Sequence, residues 1–298
     1  MKEKENSRIE KEFYPALGTP IHLDGTLVKE SFGRQIELMI SSGAKGALCM
    51  GSMGNMASIR NSEYPGVAKY ACDVVRQRIP LLVGVMDCSI SRVLDRIDSL
   101  KELKIDGVVA TVPFYSPLKP NEIVAFFSEL AKKSKFPVYM YDLPGVTQSP
   151  ISVSQLETLI NEKNLAGLKT GNLNLIMELY RNKLMSGKDF SVYYSNLDLF
   201  DVAIKSGIGK NLDGMFTCTP YNSRKTYAEK SSEIELIKSL NNILKLRNLF
   251  LKENVLAAYS YAMELLKCPG NYHADYALPI SGELKEEIVD LMKNIHEI

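Results

Sequence analysis

The segment Leu165–Thr170 reads LAGLKT: an apolar run that ends in a lysine, with Gly171 directly after it. Desolvation disfavours a charged ammonium, and a neutral amine attacks a ketone to form a Schiff base. The protonated imine then draws electrons from a neighbouring carbon–carbon bond, which can break or form. An isolated lysine at a strand end commonly just snorkels to solvent, so Lys169 gains meaning only from its neighbours. Tyr141 ends the preceding apolar run, PVYMYDLP, and a phenol there can pass protons to and from a carbinolamine or an aldol oxygen. Tyr139 shares its strand face by period two, so the sequence leaves open which tyrosine is nearer the lysine. A third run ends in GALCMGSMGN, where Gly51 and Gly54 bracket Ser52 and Met53. Such a turn can aim successive N–H groups at a carboxylate, or it can be a plain connection that uses glycine for its backbone freedom. A fourth, VPFYSPLKP, offers Tyr115 on a proline-flanked loop.

These segments belong to a regular alternation. Short apolar, β-branched runs at 13–21, 46–51, 80–86, 107–113, 137–144, 165–170, 190–195 and 212–218 predict strands. Longer amphipathic stretches separate them. Helix starts are predicted from Ser62 before Glu63 and Pro65, from Ser89, and from Pro120 with Asn121 and Glu122. Strands that are apolar throughout are covered on both faces. Eight such units predict an α/β fold, a (β/α)8 TIM barrel, with chemistry at the C-terminal strand ends. A doubly wound open sheet is the alternative, weakened by the lack of G-x-G-x-x-G after the first strand and of a P-loop. After residue 220 the strand pattern stops, and 233–252, 254–267 and 283–296 predict additional C-terminal helices. The expected organisation is a tail over 1–12, the barrel over 13–230, and a helical extension over 231–298 packed on the barrel.

Composition narrows the function. With 36 Lys and Arg against 35 Asp and Glu in 298 residues, nothing suggests nucleic acid or an anionic membrane. No apolar run is long enough to span a bilayer, and the charged start MKEKENSRIEKEF does not read as a signal peptide. Five cysteines without a C-x-x-C pair fit a reducing, cytoplasmic setting better than a disulfide framework or zinc site. Three scattered histidines give a metal little to bind.

Taken together, the motifs resemble the N-acetylneuraminate lyase and dihydrodipicolinate synthase family of Schiff-base aldolases. ALGTPIHLDGTL is similar to the family's first strand and turn, GSMGN to its G-[ST]-T-G-E loop, and VPFYSP to its P-Y-Y-x-x-P loop. YDLPGVT followed by GLK resembles its catalytic tyrosine and lysine strands. The resemblance runs from about residue 13 to the PIS element at 279–281. It implies that Lys169 forms an imine with pyruvate or another 2-oxo acid and that Tyr141 transfers protons. Ser52 then hydrogen-bonds Tyr141, and Tyr115 completes the relay from a neighbouring subunit, so a homo-oligomer (dimer or tetramer) is implied. Gly51, Ser52 and Met53 hold the keto-acid carboxylate, and no cofactor is required.

The chain also departs from that pattern. Met53 stands in place of a second hydroxyl residue, Asn55 in place of a glutamate, and Gln148 in place of a glycine. Val146 occupies the position where the synthase branch carries a carboxylate-gripping arginine. That loss costs roughly 1.5–3 kcal/mol, about tenfold or more in binding, and favours a lyase acting on a sugar acid over the lysine-pathway synthase. After Lys169, TGN replaces a more acidic pattern. In YYSNLDL, Ser195 and Asp198 are the expected contacts to sugar hydroxyls. A dehydratase on the same imine, the synthase itself, and a keto-acid-binding protein without turnover remain open at this point.

Overall fold

The apolar runs form a closed ring of parallel strands. The computed structural model describes residues 10–298, so residues 1–9 of the expected tail lie outside the described residues. The strands are β1 (Glu12–Pro15), β2 (Ala47–Cys49), β3 (Leu81–Gly84), β4 (Gly107–Ala110), β5 (Val138–Asp142), β6 (Leu165–Thr170), β7 (Ser191–Tyr194) and β8 (Lys210–Asp213). From β2 to β8 each strand pairs in parallel with the next, and β8 pairs with β1. A parallel bridge from Ala16 to Leu48, with the Leu17 N–H donating to the Leu48 carbonyl at 2.9 Å, joins β1 to β2. The open-sheet alternative is thereby excluded, and the fold is the (β/α)8 barrel with extra C-terminal helices.

The helices between strands are α1 (Lys29–Ser41), α2 (Tyr64–Val75), α3 (Ile90–Ser99), α4 (Pro120–Lys133), the short α5 (Pro144–Thr147), α6 (Val153–Leu159), α7 (Leu173–Arg181) and α8 (Phe200–Lys205), and α9 (Pro220–Tyr227) follows β8. Several start where local chemistry dictates. Ser89 accepts from the Arg92 N–H and opens α3. Pro120 takes the first position of α4, and Glu122 reaches back to the Lys119 N–H at 2.7 Å. Ser62 does not cap α2: the helix begins at Tyr64 after Glu63, with no side-chain cap. The last strand also differs from its expected span of 212–218. It ends at Asp213, whose Oδ1 accepts from the Met215 N–H at 2.7 Å and turns Met215–Cys218 into a 3-10 helix.

Helices α10 (Glu233–Phe250), α11 (Val255–Leu265) and α12 (Gly282–Asn294) follow, with α10 packed on α8 and α9, and α11 on the turn after β8. Here Tyr259 of α11 shares a 2.6 Å hydrogen bond with Thr217 and meets the Tyr272 ring edge-on at 5.2 Å. A Cβ on Gly18 would fall 2.8 Å from Tyr259, so glycine lets the chain leaving β1 pass under this aromatic pair. Among the described residues no helix is long and apolar enough to cross a membrane.

The β5–β6 ladder contains a one-residue shift. Val138 pairs with Leu165, but Tyr139 pairs with Gly167, leaving Ala166 as the extra residue. Gly167 is required at this shift. A Cβ there would press on the Ser191 carbonyl and lie 2.7 Å from Tyr139 Cδ1. Gly167→Ala is expected to lower stability by about 1–3 kcal/mol through overpacking, read as a lower midpoint in chemical denaturation.

Candidate active site

The register shift decides which tyrosine faces the lysine. Because Ala166 is bulged out, Tyr141 pairs with Lys169 and Asp142 with Thr170. An unshifted ladder would pair Tyr141 with Leu168 and turn phenol and amine to opposite faces. Lys169 Nζ lies 3.4 Å from the centroid of the Tyr141 ring. Lys169 is 7% exposed and Tyr141 6%, so amine and ring meet in a site nearly shut off from solvent. Tyr139, two residues nearer the start of β5 and only partly buried, has its ring against Gly107 and Gly167 and edge-on to Tyr193 at 5.9 Å. The ring face covers the amine and holds it at the strand ends.

Thr170 and Asp142 lock the same two strands on the other face. The Thr170 hydroxyl donates to Asp142 Oδ2 at 2.8 Å, and Asp142 Oδ1 accepts from the Ile151 N–H at 3.0 Å. Thr170 Oγ1 also accepts from the Asn172 N–H, and Asn172 caps α7 through the Leu175 N–H at 3.1 Å. The TGN sequence is therefore the local device that stops β6 directly after the lysine.

The turn after β2 is built differently from a glycine-hinged turn. Its left-handed residues are Met50 and Asn55, each with φ of 52°, while Gly51 and Gly54 are not among the positive-φ residues. Gly54 is needed for proximity instead: a Cβ there would sit 2.8 Å from Met50 Cα and 3.0 Å from the Leu17 carbonyl. Hydrogen bonds from the Asn55 N–H to the Ser52 carbonyl and from the Met56 N–H to the Gly51 carbonyl close the turn. Among the described residues, the Ser52, Met53 and Gly54 N–H groups donate to no protein acceptor. Three donors without protein partners thus follow one another along this turn. Met53 extends over β8, its Cγ 2.7 Å from where a Cβ of Gly214 would be.

The remaining expected site residues are less gathered. Ser52 is exposed, and no hydrogen bond joins it to Tyr141. Tyr115 is 89% exposed, on the outer side of the loop after β4. Val146 is 53% exposed on α5. Gln148, just past α5, adopts φ of 51°, the conformation a glycine would take there. Ser195 donates its N–H to the Thr170 carbonyl at 2.9 Å, beside the lysine strand. Asp198 is held by Arg247 of α10 through two hydrogen bonds, of 2.5 and 3.1 Å. Charge-assisted bonding to that guanidinium, opposed by burial, keeps the Asp198 carboxyl below its ordinary range.

Two neighbours of the lysine escaped the sequence reading. Tyr193 on β7 is the register partner of Lys169 on the side opposite Tyr141. Period-two alternation in FSVYYS was the available signal. Asp213, at the end of β8, lies within electrostatic reach of both Lys169 and Arg247. Its sign was hidden because the last strand was placed too far along. Among the described residues no cluster of His, Cys, Asp or Glu side chains could hold a metal ion.

The Dihydrodipicolinate synthetase family profile matches residues 10–295, and the chain belongs to that family. A 4-hydroxy-tetrahydrodipicolinate synthase of Gluconacetobacter diazotrophicus is 26% identical over 176 residues, 59% of this chain and 59% of that protein. The chain thus spans about three fifths of the length of the first curated synthases it matches. The Escherichia coli K12 protein named "Probable 2-dehydro-3-deoxy-D-pentonate aldolase YjhH" is 24% identical over 290 residues, 93% of each chain. In shape, the chain matches YagE of Escherichia coli K12, solved in complex with pyruvate. The TM-score is 0.87 at 18% identity, covering 97% of this chain and 99% of that one. At that identity the likeness shows the fold alone.

Burial raises the Asp213 carboxyl above its ordinary value of 3.8, against the Met215 N–H bond and the Lys169 and Arg247 charges, which lower it. A raised folded-state value means that the native state binds the proton more tightly. The stability this group contributes is full below pH 3.8 and is lost as pH rises through the raised value. Asp213→Asn, which keeps an oxygen acceptor for Met215, is expected to flatten the fall in melting temperature on the alkaline side of pH 3.8. The check is a series of thermal melts across pH for both proteins.

Proposed function

We propose that the protein is a class I aldolase-type lyase that cleaves a 2-oxo-3-deoxy sugar acid into pyruvate and an aldehyde, in the manner of N-acetylneuraminate lyase. The observation that carries the reading is the buried Lys169 amine over the Tyr141 ring, at the C-terminal end of neighbouring barrel strands. That is the face where barrel enzymes place their chemistry.

Lys169 Nζ attacks the C2 carbonyl, and loss of water gives the imine. The Ser52–Gly54 N–H groups receive the substrate carboxylate. Tyr141 gives its proton to the departing carbinolamine hydroxyl, which leaves as water and a protonated imine; the phenolate so formed takes the proton from the C4 hydroxyl as the C3–C4 bond breaks, and the bonding electrons pass into the protonated imine to give a neutral enamine. The aldehyde leaves, C3 is protonated, and water releases pyruvate from the lysine. Tyr115, exposed beside an apolar groove lined by Pro113, Leu118 and Phe126, is assigned to the relay of a second copy. This reading makes the working form a homo-oligomer.

The choice of substrate rests on Val146 and Asp198. The first offers no charge to a second carboxylate, and the second already spends its charge on Arg247. A neutral, hydroxylated aldehyde half suits such surroundings better than aspartate semialdehyde does. The match over 93% of both chains to a relative named as a probable 2-dehydro-3-deoxy-D-pentonate aldolase supports the same class.

A panel of 2-keto-3-deoxy sugar acids, sialic acid included, assayed for pyruvate release tests the proposal. Release from at least one member is expected, with none from Lys169→Ala and a loss of about 10²-fold or more in kcat for Tyr141→Phe. Robust synthesis from pyruvate and aspartate semialdehyde would instead contradict the argument from Val146. An unchanged rate in Tyr141→Phe would remove the tyrosine from the mechanism.

A further inference from the structure

The β2 turn is held in place by a buried network that the mechanism above does not use. Asp87, in the loop after β3, is 5% exposed. Its Oδ2 pairs with Arg96 Nη2 at 3.0 Å, and its Oδ1 accepts from Arg92 Nε at 2.6 Å and from the Cys88 N–H at 2.7 Å. Arg92 is the solvent-side partner, with 55% of its side chain exposed, whereas 11% of the Arg96 side chain is exposed. The Arg96 guanidinium reaches inward. It donates to the Met86 carbonyl at 2.9 Å, contacts the sulfur of Met56, and lies 5.1 Å from the Tyr64 ring centroid. Tyr64 in turn donates its hydroxyl to the Gly84 carbonyl at 2.7 Å. Gly84 accommodates the Met50 carbonyl where any Cβ would collide with it.

Two branches of this network reach the Met50–Met56 segment: Arg96 through the sulfur of Met56, and Tyr64 through Gly84, on which the Met50 carbonyl rests. Met50 is held in left-handed backbone that a long side chain disfavours, and Asn55 adopts the same conformation at lower cost. Arg96 Nε is buried without an acceptor. An unsatisfied buried donor costs stability, which the contacts of Arg96 to Asp87, the Met86 carbonyl and the Tyr64 ring offset. What these contacts fix is the end of the turn: Met56 follows Asn55 directly, and its N–H closes the loop onto the Gly51 carbonyl.

We propose that Arg96, anchored by Asp87, is a positioning residue that holds the Ser52–Gly54 N–H groups in the orientation that binds the 2-oxo acid carboxylate. The carboxylate role of the turn rests on the aldolase reading, whereas the bracing does not. Arg96 touches no substrate. Its loss therefore weakens binding of the keto acid and leaves the chemistry at Lys169 in place once substrate is bound.

The test compares the wild-type protein with Arg96→Lys, which keeps the charge facing Asp87 but not the planar fork, and with Arg92→Ala as the outer control. Hydrogen exchange over residues 50–58 reads the turn directly. Borohydride trapping against pyruvate concentration separates half-saturation from the limiting rate. In Arg96→Lys, faster exchange confined to 50–58 is expected, with half-saturation raised about tenfold and the limiting rate within about threefold. Arg92→Ala is expected to match wild type in both. If Arg96→Lys does not fold, Tyr64→Phe replaces it, with the same direction of change expected. Unchanged exchange over 50–58, or equal losses in half-saturation and limiting rate, overturns the proposal. A wild-type protein that forms no adduct defeats the aldolase reading instead, and the exchange measurement then decides the bracing by itself.

Discussion

One constraint organises the site: a lysine amine must sit in a nearly dry barrel mouth with a phenol beside it. Burial alone does not achieve this, because a buried amine with no partner is strongly unfavourable. The Tyr141 ring supplies the partner, with Nζ 3.4 Å from its centroid. The ring in turn depends on the shift around Ala166, which turns Tyr141 and Lys169 to the same face. The hydrogen bond from Thr170 to Asp142 pins the two strands at the next residue pair. A single extra residue in one ladder thus decides whether phenol and amine meet.

The surrounding loops serve that arrangement in different ways. The turn after β2 presents unpaired N–H groups, and its shape is imposed from beneath by Gly84, Tyr64 and the Asp87–Arg96 pair. The loop after β7 is fastened to the C-terminal helices by Asp198 and Arg247. The C-terminal helices therefore shape the mouth as well as cover the barrel. α11 grips the exit of β8 through Thr217 and underlies the path of the chain past Gly18.

Much of this was legible in the sequence because the signals are local. Apolar, β-branched runs gave the strands, and Ser89 and Pro120 marked helix starts that the structure contains. Lys169 stood out as a charge at the end of such a run. What escaped depends on contacts between distant residues or on geometry without a pattern. Nothing in VYMYDLP or LAGLKT announces a register shift, so the choice between Tyr139 and Tyr141 stayed open. LDGMFTC has the composition of a strand, but the bond from the Met215 N–H to the Asp213 carboxylate ends it early. GSMGN suggested glycines at positive φ, whereas Met50 and Asn55 take that conformation and the glycines allow close approach. The pairing of Asp198 with Arg247 spans 49 residues and has no sequence signature.

The most direct test of the account is the covalent adduct itself. The protein is incubated with pyruvate, reduced with borohydride, digested and mapped by mass spectrometry. A single reduced adduct on the peptide that contains Lys169 is expected. An adduct on any other lysine, or none at saturating pyruvate, would contradict it.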